Sequence, residues 1–510
     1  MLVLDRPTRG AWSRISQAAF QDRPWIAASA AWLAIYVALC STGQRFSTMF
    51  LDYGWQTLPL DLLRADPFGS IWYLHTQPPL MNLGIGIVER WSLAPPALSL
   101  QIVLAGTGVC LAGMTTSLVQ RLGRSSSCAL AVGLFATADP TIMRMAFSPT
   151  YELPTALCVV GVMWCLARSE STAARRLLLC AVFGTALVLT RSLYHPLWLV
   201  VLLVVLGLRW RTRIGWQRLM LIATLPTVLI GGWLLKNEVI FGDATMSSWS
   251  GMNLERSTLP LLSPSQIDHA IEDGDVSRLV LVGAFQSYDK YVPYVRRCRP
   301  SHTSPVTAQS TRRKWVRTLG GPQVAPNFNF ECFLPLYRQA GQDALHLAIR
   351  YPGKWLEGRL WSTRGWFTEG RLDLGHGSPV LSVMDTIFTV AHVDVGIVHL
   401  SQHGWGDGAL FGGMGKVPIE LLIFLVDAAI VLTALWTLIG RVRGREIDTA
   451  GLILIAGAFI LAWSFVVGVT GELGEQSRFR SVIDPLAFAL VAGIVVPRWR
   501  AALAPRLRAR

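Results

Sequence analysis

Long apolar segments separated by short polar ones dominate the pattern of this chain. A transmembrane helix needs roughly 20 predominantly apolar residues to cross about 30 Å of hydrocarbon. The pattern predicts an all-α integral membrane protein with about ten transmembrane helices, a large first outer loop and a mixed extracytoplasmic loop region of about 180 residues. The predicted spans are residues 24–41, 96–118, 127–147, 151–168, 175–191, 194–208, 218–235, 418–440, 450–470 and 481–497.

Two places in this pattern need separate treatment. The third span contains Asp139-Pro140, and because proline lacks a backbone donor we expect the helix to end or bend there, near its outer mouth. The segment Leu381–Leu400 is moderately apolar but contains two aspartates and two histidines. A single extra span there would invert the last three spans, so we interpret it as an external or interfacial helix.

Composition supports a membrane protein and argues against a soluble one. The 510 residues are 52% hydrophobic and 15% charged, whereas soluble domains carry about 25% charged residues. The net charge of +14 would suggest nucleic acid as the partner of a soluble protein. Here the arginines cluster in short segments between apolar runs, so topology explains them, and we expect no nucleic-acid partner.

The arginine-rich segments also predict the orientation. They precede the first span and follow the second, fourth, sixth, eighth and tenth, which places all of them, and both termini, in the cytoplasm. The first span lacks a small-residue cleavage site and is expected to be retained. The predicted organisation is a cytoplasmic N-terminus at 1–23, a membrane domain at 24–235 with an outer loop at 42–95, an extracytoplasmic loop region at 236–417, a membrane domain at 418–497, and a basic cytoplasmic tail at 498–510.

Two of the eight cysteines stand apart from the others. Cys298 and Cys332 share the large outer loop, whereas the other six lie in predicted spans, where cysteine ordinarily acts as a small hydrophobe. In an oxidising compartment the two could form a disulfide, and two unpaired thiols are the alternative.

The first outer loop carries two candidate functional residues. Asp52 lies about ten residues beyond the first span, so it can sit at the membrane surface and accept a proton from an acceptor hydroxyl or amine. A solvated aspartate in a turn is the alternative. His75, followed by Pro78-Pro79, gives a rigid entry into the next helix, and a structural role is its alternative.

Further candidates gather at the predicted outer surface. Tyr151-Glu152 opens the fourth span, where Glu152 either complements the helix dipole or lines a cavity. Arginine at headgroup level suits phosphate, because its planar fork binds phosphate oxygens bidentately; lipid-headgroup snorkelling is the alternative. The basic candidates are Arg191, His195, Arg478 and Arg480.

Other sequence features narrow the chemistry. Asp427 lies near the middle of the eighth span, where an uncompensated charge is costly; it could pair with an arginine, bond a neighbouring helix or stay protonated. The glycine-rich segment 408–415 lacks the Lys-Ser/Thr of a phosphate-binding loop. No metal-binding motif is present, so no metal ligand is predicted.

Taken together, these motifs resemble the GT-C superfamily of polytopic glycosyltransferases, which includes protein O-mannosyltransferases and bacterial transferases that modify lipid A or cell-wall glycans. Many members carry Asp-Glu in the first loop, whereas here Tyr53 follows Asp52, and Asp61 and Asp66 are nearby alternatives. The matching segments are Asp52, His75–Pro79, Tyr151-Glu152, Arg191–Pro196, Glu475–Arg480, and Lys236-Asn237 with the following Phe241-Gly242.

The resemblance implies a polyprenyl-phosphate sugar as donor and a lipid, glycan or protein as acceptor, at the outer face of a bacterial cytoplasmic (inner) membrane. Asp52 would deprotonate the acceptor, which attacks the anomeric carbon with inversion. Arg191, Arg478 and Arg480, with Lys236 and His195, would hold the departing phosphate. Polyprenyl phosphate is a good leaving group, so no cofactor is required, and no motif indicates a divalent metal.

Two other functions remain open at this stage. An O-antigen-ligase-like transferase would place its chemistry in residues 236–417 and leave Asp52 dispensable. A transporter or flippase of lipid-linked saccharides would have many spans and basic cavities, but that class usually shows paired repeats or several midplane charges. Asp427 is the one strong midplane acid in the sequence.

Overall fold

The computed structural model describes residues 23–52, 56–92, 94–168, 171–295, 298, 309–317, 324–367, 378–392, 394–399, 416–471 and 476–508. Helices dominate these residues. In the N-terminal half they are Pro24–Ser41, Met49–Asp52, Leu60–Ala65, Pro67–Trp72, Pro79–Trp91, Pro96–Arg121, Ser126–Thr137, Pro140–Ala146, Glu152–Leu166, Ala173–Thr190, Pro196–Ile214, Trp216–Pro226 and Gly232–Phe241. In the C-terminal half they are Ser250–Arg256, Pro264–Glu272, Tyr288–Tyr291, Gln309–Arg312, Leu334–Arg350, Pro352–Trp366, Pro379–His392, Leu421–Val442, Thr449–Gly471, Gln476–Ser481, Asp484–Leu490 and Val496–Arg508.

Shorter elements complete the described chain. Five-residue π turns connect the helices within two long apolar segments, at Thr227–Gly231 and Val491–Val495. Single 3₁₀ turns lie at Leu259–Leu261, Arg278–Leu281, Val292–Tyr294 and Glu331–Phe333. Two antiparallel pairs of strands are formed, Trp315–Arg317 with Val324–Pro326 and Asp394–His399 with Lys416–Glu420.

Each of the ten predicted apolar segments coincides with helical structure. Among the described residues, 7 helices are long and apolar enough to cross a membrane, or 8 if the bent pair Ser126–Thr137 and Pro140–Ala146 is one span. The two remaining segments correspond to Glu152–Leu166, which has 15 residues, and to Pro196–Ile214, whose last turn is basic. The all-α membrane architecture is confirmed, and the count of ten spans stays a prediction.

The bend predicted at Asp139-Pro140 is present. The helices on either side of it meet at 66°. The Asp139 carboxylate accepts a hydrogen bond from the Thr141 backbone N–H at 2.8 Å, and Pro140 takes the first helical position, where a missing N–H costs nothing. The pair therefore ends one helix and caps the next.

Proline also shapes the seventh segment. Pro226 lies inside the helical run and is followed by the π turn Thr227–Gly231 before the α-helix resumes. A proline removes one backbone donor and crowds the preceding turn, and a widened π turn absorbs that change without breaking the segment. The run Trp216–Phe241 therefore stays long enough to cross the membrane.

Close approach of the first two long helices depends on a glycine. A Cβ atom at Gly108 would lie 2.1 Å from the Trp32 ring. That ring is fully buried, its indole N–H donates to the Thr137 carbonyl at 2.9 Å, and it stacks on Tyr36. Small residues at such contacts are typical of packed membrane helices.

The large loop between the seventh and eighth segments folds into a separate layer, formed by the described residues from 242 to 367. We call it the outer layer, after the side of the membrane that the sequence predicts for it. Its core is aromatic, and Trp249, Phe285 and Phe328 meet edge to face within 5.3–6.2 Å of one another. A disulfide joins Cys298 to Cys332, with their Cα atoms 5.7 Å apart. It lies beside this core, against which both cysteines pack.

The segment predicted as one external helix at 381–400 is built differently. The helix is Pro379–His392, and Asp394–His399 forms a strand that pairs with Lys416–Glu420. The prediction was wrong for the second half, because β-branched residues around Gly396 pair with a partner strand that sequence spacing did not reveal. The same strand pair delays the start of the eighth segment to Leu421.

Candidate anion-binding site

Glu152 is the centre of a buried ionic cluster. It is the first residue of the helix Glu152–Leu166, where a negative charge complements the helix dipole. Its side chain is 0% exposed. Arg478 Nη2 lies 2.6 Å from Glu152 Oε1, and Arg191 Nη2 lies 3.7 Å from the same oxygen.

The two arginines reach Glu152 from opposite parts of the chain. Arg191 follows directly after the helix Ala173–Thr190 as its C-cap, and Arg478 belongs to the short helix Gln476–Ser481. Arg478 Nε also donates to Glu152 Oε1 at 2.6 Å, across 326 residues of sequence. The fold therefore brings together three of the residues predicted from sequence.

Aromatic rings hold the Arg191 guanidinium. Its carbon atom lies 4.6 Å from the centre of the Tyr151 ring and 4.5 Å from that of Phe479. The Arg478 guanidinium lies 5.4 Å from the Tyr151 ring as well. Arginine binds aromatic faces through the ring quadrupole, so both charges are fixed in place. We call Tyr151, Glu152, Arg191, Arg478 and Phe479 the anion cluster.

Within the anion cluster, Arg191 is the residue whose buried charge lacks hydrogen-bond acceptors among the described residues. Arg191 is 3% exposed, and within the described residues neither of its terminal nitrogens has a hydrogen-bond acceptor. The two guanidinium groups share the single carboxylate of Glu152. A buried charge is costly unless it is paired and hydrogen-bonded, so this geometry favours the binding of an additional anion.

The first outer loop is joined to the cluster through Tyr151. Gln56 Nε2 donates to the Tyr151 hydroxyl at 2.9 Å, and Thr57 Oγ1 donates to the Phe50 carbonyl at 3.2 Å. Asp52, whose backbone ends the helix Met49–Asp52, stands four positions before Gln56 in the sequence. A fully extended chain spans at most about 3.6 Å per residue, so the two Cα atoms lie within about 14 Å of each other.

Arg480 lies in a second buried cluster, which we call the arginine cage. Its Nη2 lies 2.7 Å from Asp427 Oδ1, its Nη1 pairs with Asp484, and Trp366 Nε1 donates to Asp427 Oδ2 at 3.1 Å. Two carboxylates therefore contact this guanidinium, and the role of Arg480 in binding the donor phosphate stays a prediction. Asp427 therefore pairs with an arginine, which was one of the three alternatives that the sequence left open for it.

His75 and Lys236 belong to a third group, which joins the first outer loop to the outer layer. His75 Nδ1 lies 2.7 Å from Ser248 Oγ, and His75 Nε2 lies 3.1 Å from the Asn329 carbonyl oxygen. Lys236 Nζ donates to the Leu74 carbonyl at 2.6 Å and lies 3.6 Å from the Trp233 ring centre. These contacts join the first outer loop to the outer layer, and the cavity role of His75 and the phosphate role of Lys236 stay predictions.

His195 has a local role as well. It caps the helix Pro196–Ile214, since its Nδ1 accepts a hydrogen bond from the Leu197 backbone N–H at 3.2 Å. Its side chain is exposed, whereas Arg191, four residues earlier, is buried. The two residues therefore differ in exposure, and the role of His195 at the phosphate stays a prediction.

The alternatives to Asp52 have other partners. Asp66 caps the helix Pro67–Trp72 by accepting from the Gly69 backbone N–H at 2.9 Å, and Asp61 is exposed and pairs with Arg313 at 3.4 Å. Glu475 and the glycine-rich segment 408–415 lie outside the described residues. Across the part of the chain that the structure describes, no group of three or more His, Cys, Asp or Glu side chains could hold a metal ion.

Solved structures offer a comparison for this fold. The chain resembles the oligosaccharyltransferase of Archaeoglobus fulgidus in its apo form, with a TM-score of 0.38 and 12% identity over 94% of this chain and 52% of that one. It also resembles ArnT of Cupriavidus metallidurans bound to undecaprenyl phosphate, with a TM-score of 0.29 and 13% identity over 93% of this chain and 80% of that one. Both are GT-C glycosyltransferases.

The chain spans about half the length of the oligosaccharyltransferase. No protein-family model matches the chain, and no curated protein matches it. At this level of identity the likeness concerns the arrangement of helices, so the chemistry is argued from the anion cluster itself.

Sequence reasoning missed three residues that shape the two clusters. Phe479 covers one face of Arg191, Gln56 joins the first loop to Tyr151, and Trp366 bonds Asp427. The signal available for Phe479 was its position between two candidate arginines. Gln56 and Trp366 carry no local signal, because their partners lie 95 and 61 residues away.

Proposed function

We propose that this chain is a membrane glycosyltransferase that moves a sugar from a polyprenyl-phosphate donor to a lipid, glycan or protein acceptor on the extracytoplasmic face. The acceptor oxygen or nitrogen attacks the anomeric carbon as the bond from that carbon to the phosphate oxygen breaks. The phosphate leaves with the bonding electron pair, the acceptor proton passes to Asp52, and the anomeric configuration inverts.

The single observation that carries this proposal is the buried guanidinium of Arg191, whose charge lacks hydrogen-bond acceptors among the described residues. Arg191 is buried, is held between Tyr151 and Phe479, and has no acceptor for its terminal nitrogens among the described residues. A phosphate that leaves the sugar gains negative charge, and fixed donors aimed at such charge often supply the largest catalytic effect. Arg191 and Arg478 supply those donors in this proposal.

Glu152 has a positioning role in the proposed reaction. Its carboxylate is buried and shared by two guanidinium groups, so it is poorly suited to take a proton from an acceptor. It holds the arginines at a fixed separation before the donor arrives, which lowers the reorganisation needed during the reaction. The base is therefore assigned to Asp52, in the loop that Gln56 anchors to Tyr151.

The proposal is tested with the purified full-length chain in lipid vesicles containing a series of polyprenyl-phosphate sugars. Release of polyprenyl phosphate and binding of the donor are measured separately for three proteins, which are the wild type, Asp52→Asn and Arg191→Ala. We expect Asp52→Asn to abolish transfer while donor binding survives. Arg191→Ala is expected to weaken donor binding and to lower the transfer rate by about 10²–10³-fold, the usual effect of removing one charge-stabilising donor.

Arg278→Ala serves as the control, because Arg278 is an exposed arginine of the outer layer. Its activity is expected to match the wild type. Full transfer by Asp52→Asn would remove Asp52 from the mechanism and favour a transferase whose chemistry lies in the outer layer. Unchanged donor binding by Arg191→Ala would mean that the anion cluster does not hold the phosphate.

A further inference from the structure

The helix Pro379–His392 presents three different faces. Its apolar face holds Val383, Ile387 and Val390, which are 60%, 59% and 74% exposed and follow the four- and three-residue spacing of one helical stripe. Beside it runs a polar face of Ser382, Thr386 and Thr389. Large apolar side chains this exposed, in line and next to a polar stripe, indicate that an apolar medium covers one side of the helix.

The buried face packs on helices of the membrane domain. The helix contacts Pro24–Ser41, Pro140–Ala146 and Leu421–Val442, each of which lies in a predicted membrane-spanning segment. Asp385 pairs with Arg144, and the Phe388 ring stacks on Phe135 with 5.2 Å between centres. The helix therefore packs on the membrane domain through one face, while its apolar stripe lies on another face and is exposed.

The helix starts at one end of the first span. Ser378, which precedes it, shares a hydrogen bond with Thr42 across 2.5 Å between their hydroxyl oxygens and donates its backbone N–H to Gln44 Oε1 at 3.2 Å. Thr42 follows the last residue of Pro24–Ser41. The positive-inside pattern predicts that this end of the span faces outward.

The helix is too short to cross the bilayer. It has 14 residues, which at 1.5 Å per residue gives about 21 Å, against about 30 Å of hydrocarbon. A short helix with one apolar face and one polar face is suited to lie in the plane of a membrane surface, with its apolar side chains in the boundary between headgroups and acyl chains.

We infer that Pro379–His392 is seated in the outer leaflet, with Val383, Ile387 and Val390 in contact with lipid acyl chains and Ser382, Thr386 and Thr389 facing water. The occupant of the apolar stripe is bulk membrane lipid. Asp385 and Arg144 tie the helix to Pro140–Ala146, whose chain reaches Tyr151 and Glu152 within a few residues. The position of this helix in the outer leaflet therefore sets how deep the anion cluster lies in the membrane, whichever reaction that cluster performs.

The inference is tested by photo-cross-linking in the full-length protein. The photoreactive residue p-benzoyl-phenylalanine replaces Ile387 in one variant, Val390 in a second and Thr386 in a matched control one position away on the polar face. Each protein is reconstituted in vesicles of phosphatidylethanolamine and phosphatidylglycerol, irradiated and weighed by intact-mass spectrometry. We expect a one-lipid adduct at positions 387 and 390 in several-fold higher yield than at position 386.

Three other outcomes would overturn the inference. Equal lipid yields at 386 and 387 would mean that lipid surrounds the helix on all sides. Cross-links from 387 and 390 to a second copy of the chain would mean that the stripe is a protein interface. Absence of lipid adducts at both apolar positions, in variants whose thermal midpoints match the wild type, would place the helix outside the membrane.

Discussion

Glu152 illustrates how one buried side chain can hold two guanidinium groups at a single site. Its carboxylate is the anion that both Arg191 and Arg478 contact in the described structure. Removing one partner of a buried ion pair typically costs about 3–5 kcal/mol, because the remaining charge stays buried. If Glu152 were neutral, an anion that binds in the cluster would restore part of the negative charge that its carboxylate provides to the two arginines.

Glu152→Gln is therefore expected to lower the free energy of unfolding by about 3–5 kcal/mol, and undecaprenyl phosphate is expected to restore part of that loss. The measurement is the thermal midpoint in detergent with and without this lipid. Glu357→Gln is the control, because the Glu357–Lys354 pair is 2.9 Å long and partly exposed, and such surface pairs contribute at most about 1 kcal/mol. An equal shift of midpoint by the lipid in wild type and Glu152→Gln would contradict this prediction.

A second buried carboxyl gives a prediction about pH. Glu255 in the outer layer is 3% exposed, and burial, with a smaller effect from Asp343, raises its pKa from 4.5 to about 8. Between those two values the folded state keeps a proton that the unfolded state has lost. The contribution of Glu255 to the free energy of unfolding is therefore fully present below pH 4.5, falls as the pH rises toward about 8, and is lost above that value.

Glu255→Gln is expected to remove this dependence, because the amide is neutral at every pH. We expect the thermal midpoint of the outer layer to fall between about pH 5 and pH 8 in the wild type and to fall much less in the variant. Asp268→Asn, at an exposed position of the same layer, is the control and is expected to follow the wild type. Parallel curves for Glu255→Gln and the wild type would exclude the carboxyl as the source.

At the scale of the element, the second long helix contains a matched pair of glycines. At Gly108 an added Cβ would lie 2.1 Å from the ring of Trp32, whereas at Gly106 it would meet nothing within 4 Å. Trp32 cannot move away easily, because it is buried and donates to the Thr137 carbonyl. The two positions have the same helical backbone and differ in what they face.

Gly108→Ala is expected to destabilise the protein by about 1–3 kcal/mol, the usual cost of overpacking. Gly106→Ala is expected to be neutral or stabilising by up to about 1 kcal/mol, because alanine favours a helix over glycine. Thermal midpoints of the two variants in the same detergent check this difference. A Gly108→Ala midpoint at or above that of Gly106→Ala would show that the two helices are less closely packed than described.

Sequence predicted the elements well because each apolar segment carries its own signal. Length and hydropathy located helical structure at all ten predicted segments, and Asp139-Pro140 located the bend. The strand Asp394–His399 was missed, because its pairing with Lys416–Glu420 is a tertiary contact. An element whose signal lies within its own residues can be predicted from sequence. An element that forms only by pairing with a distant segment cannot.

The candidate site shows the same limit more sharply. Residue type and predicted sidedness selected Glu152, Arg191 and Arg478 together, which the fold brings into contact. They also selected Arg480, which the structure pairs with Asp427 and Asp484. Arg478 and Arg480 are two positions apart, and sequence alone could not tell which partner each one reaches.

At the scale of the whole molecule, the outer layer is closed by the disulfide between Cys298 and Cys332, which are 34 residues apart. In the chain-entropy model a loop of that size stabilises the folded layer by about 3–4 kcal/mol. The layer is also joined to the first outer loop through His75, Ser248 and Asn329. Its stability therefore bears on the position of that loop.

Replacement of both cysteines by serine is expected to lower the unfolding free energy of the outer layer by about 3–4 kcal/mol. Limited proteolysis of protein in vesicles is the measurement, with faster cleavage expected in the outer layer and unchanged cleavage elsewhere. Cys110→Ser, at a free and exposed cysteine of a membrane helix, is the control. Identical proteolysis of the double variant and the wild type would mean that the disulfide adds little to the folded layer.

The short helix Gln476–Ser481 has one further consequence. Arg478 on this helix forms an ion pair with Glu152. Arg480, two residues further on, pairs with Asp427 in the eighth segment and with Asp484 in the last segment. Three separate segments of the chain thus pin this helix from both sides, and it can neither rotate nor slide without breaking a buried ion pair. Replacing Asp427 by a neutral residue would therefore loosen this helix and shift Arg478 relative to Glu152, although Asp427 belongs to the arginine cage.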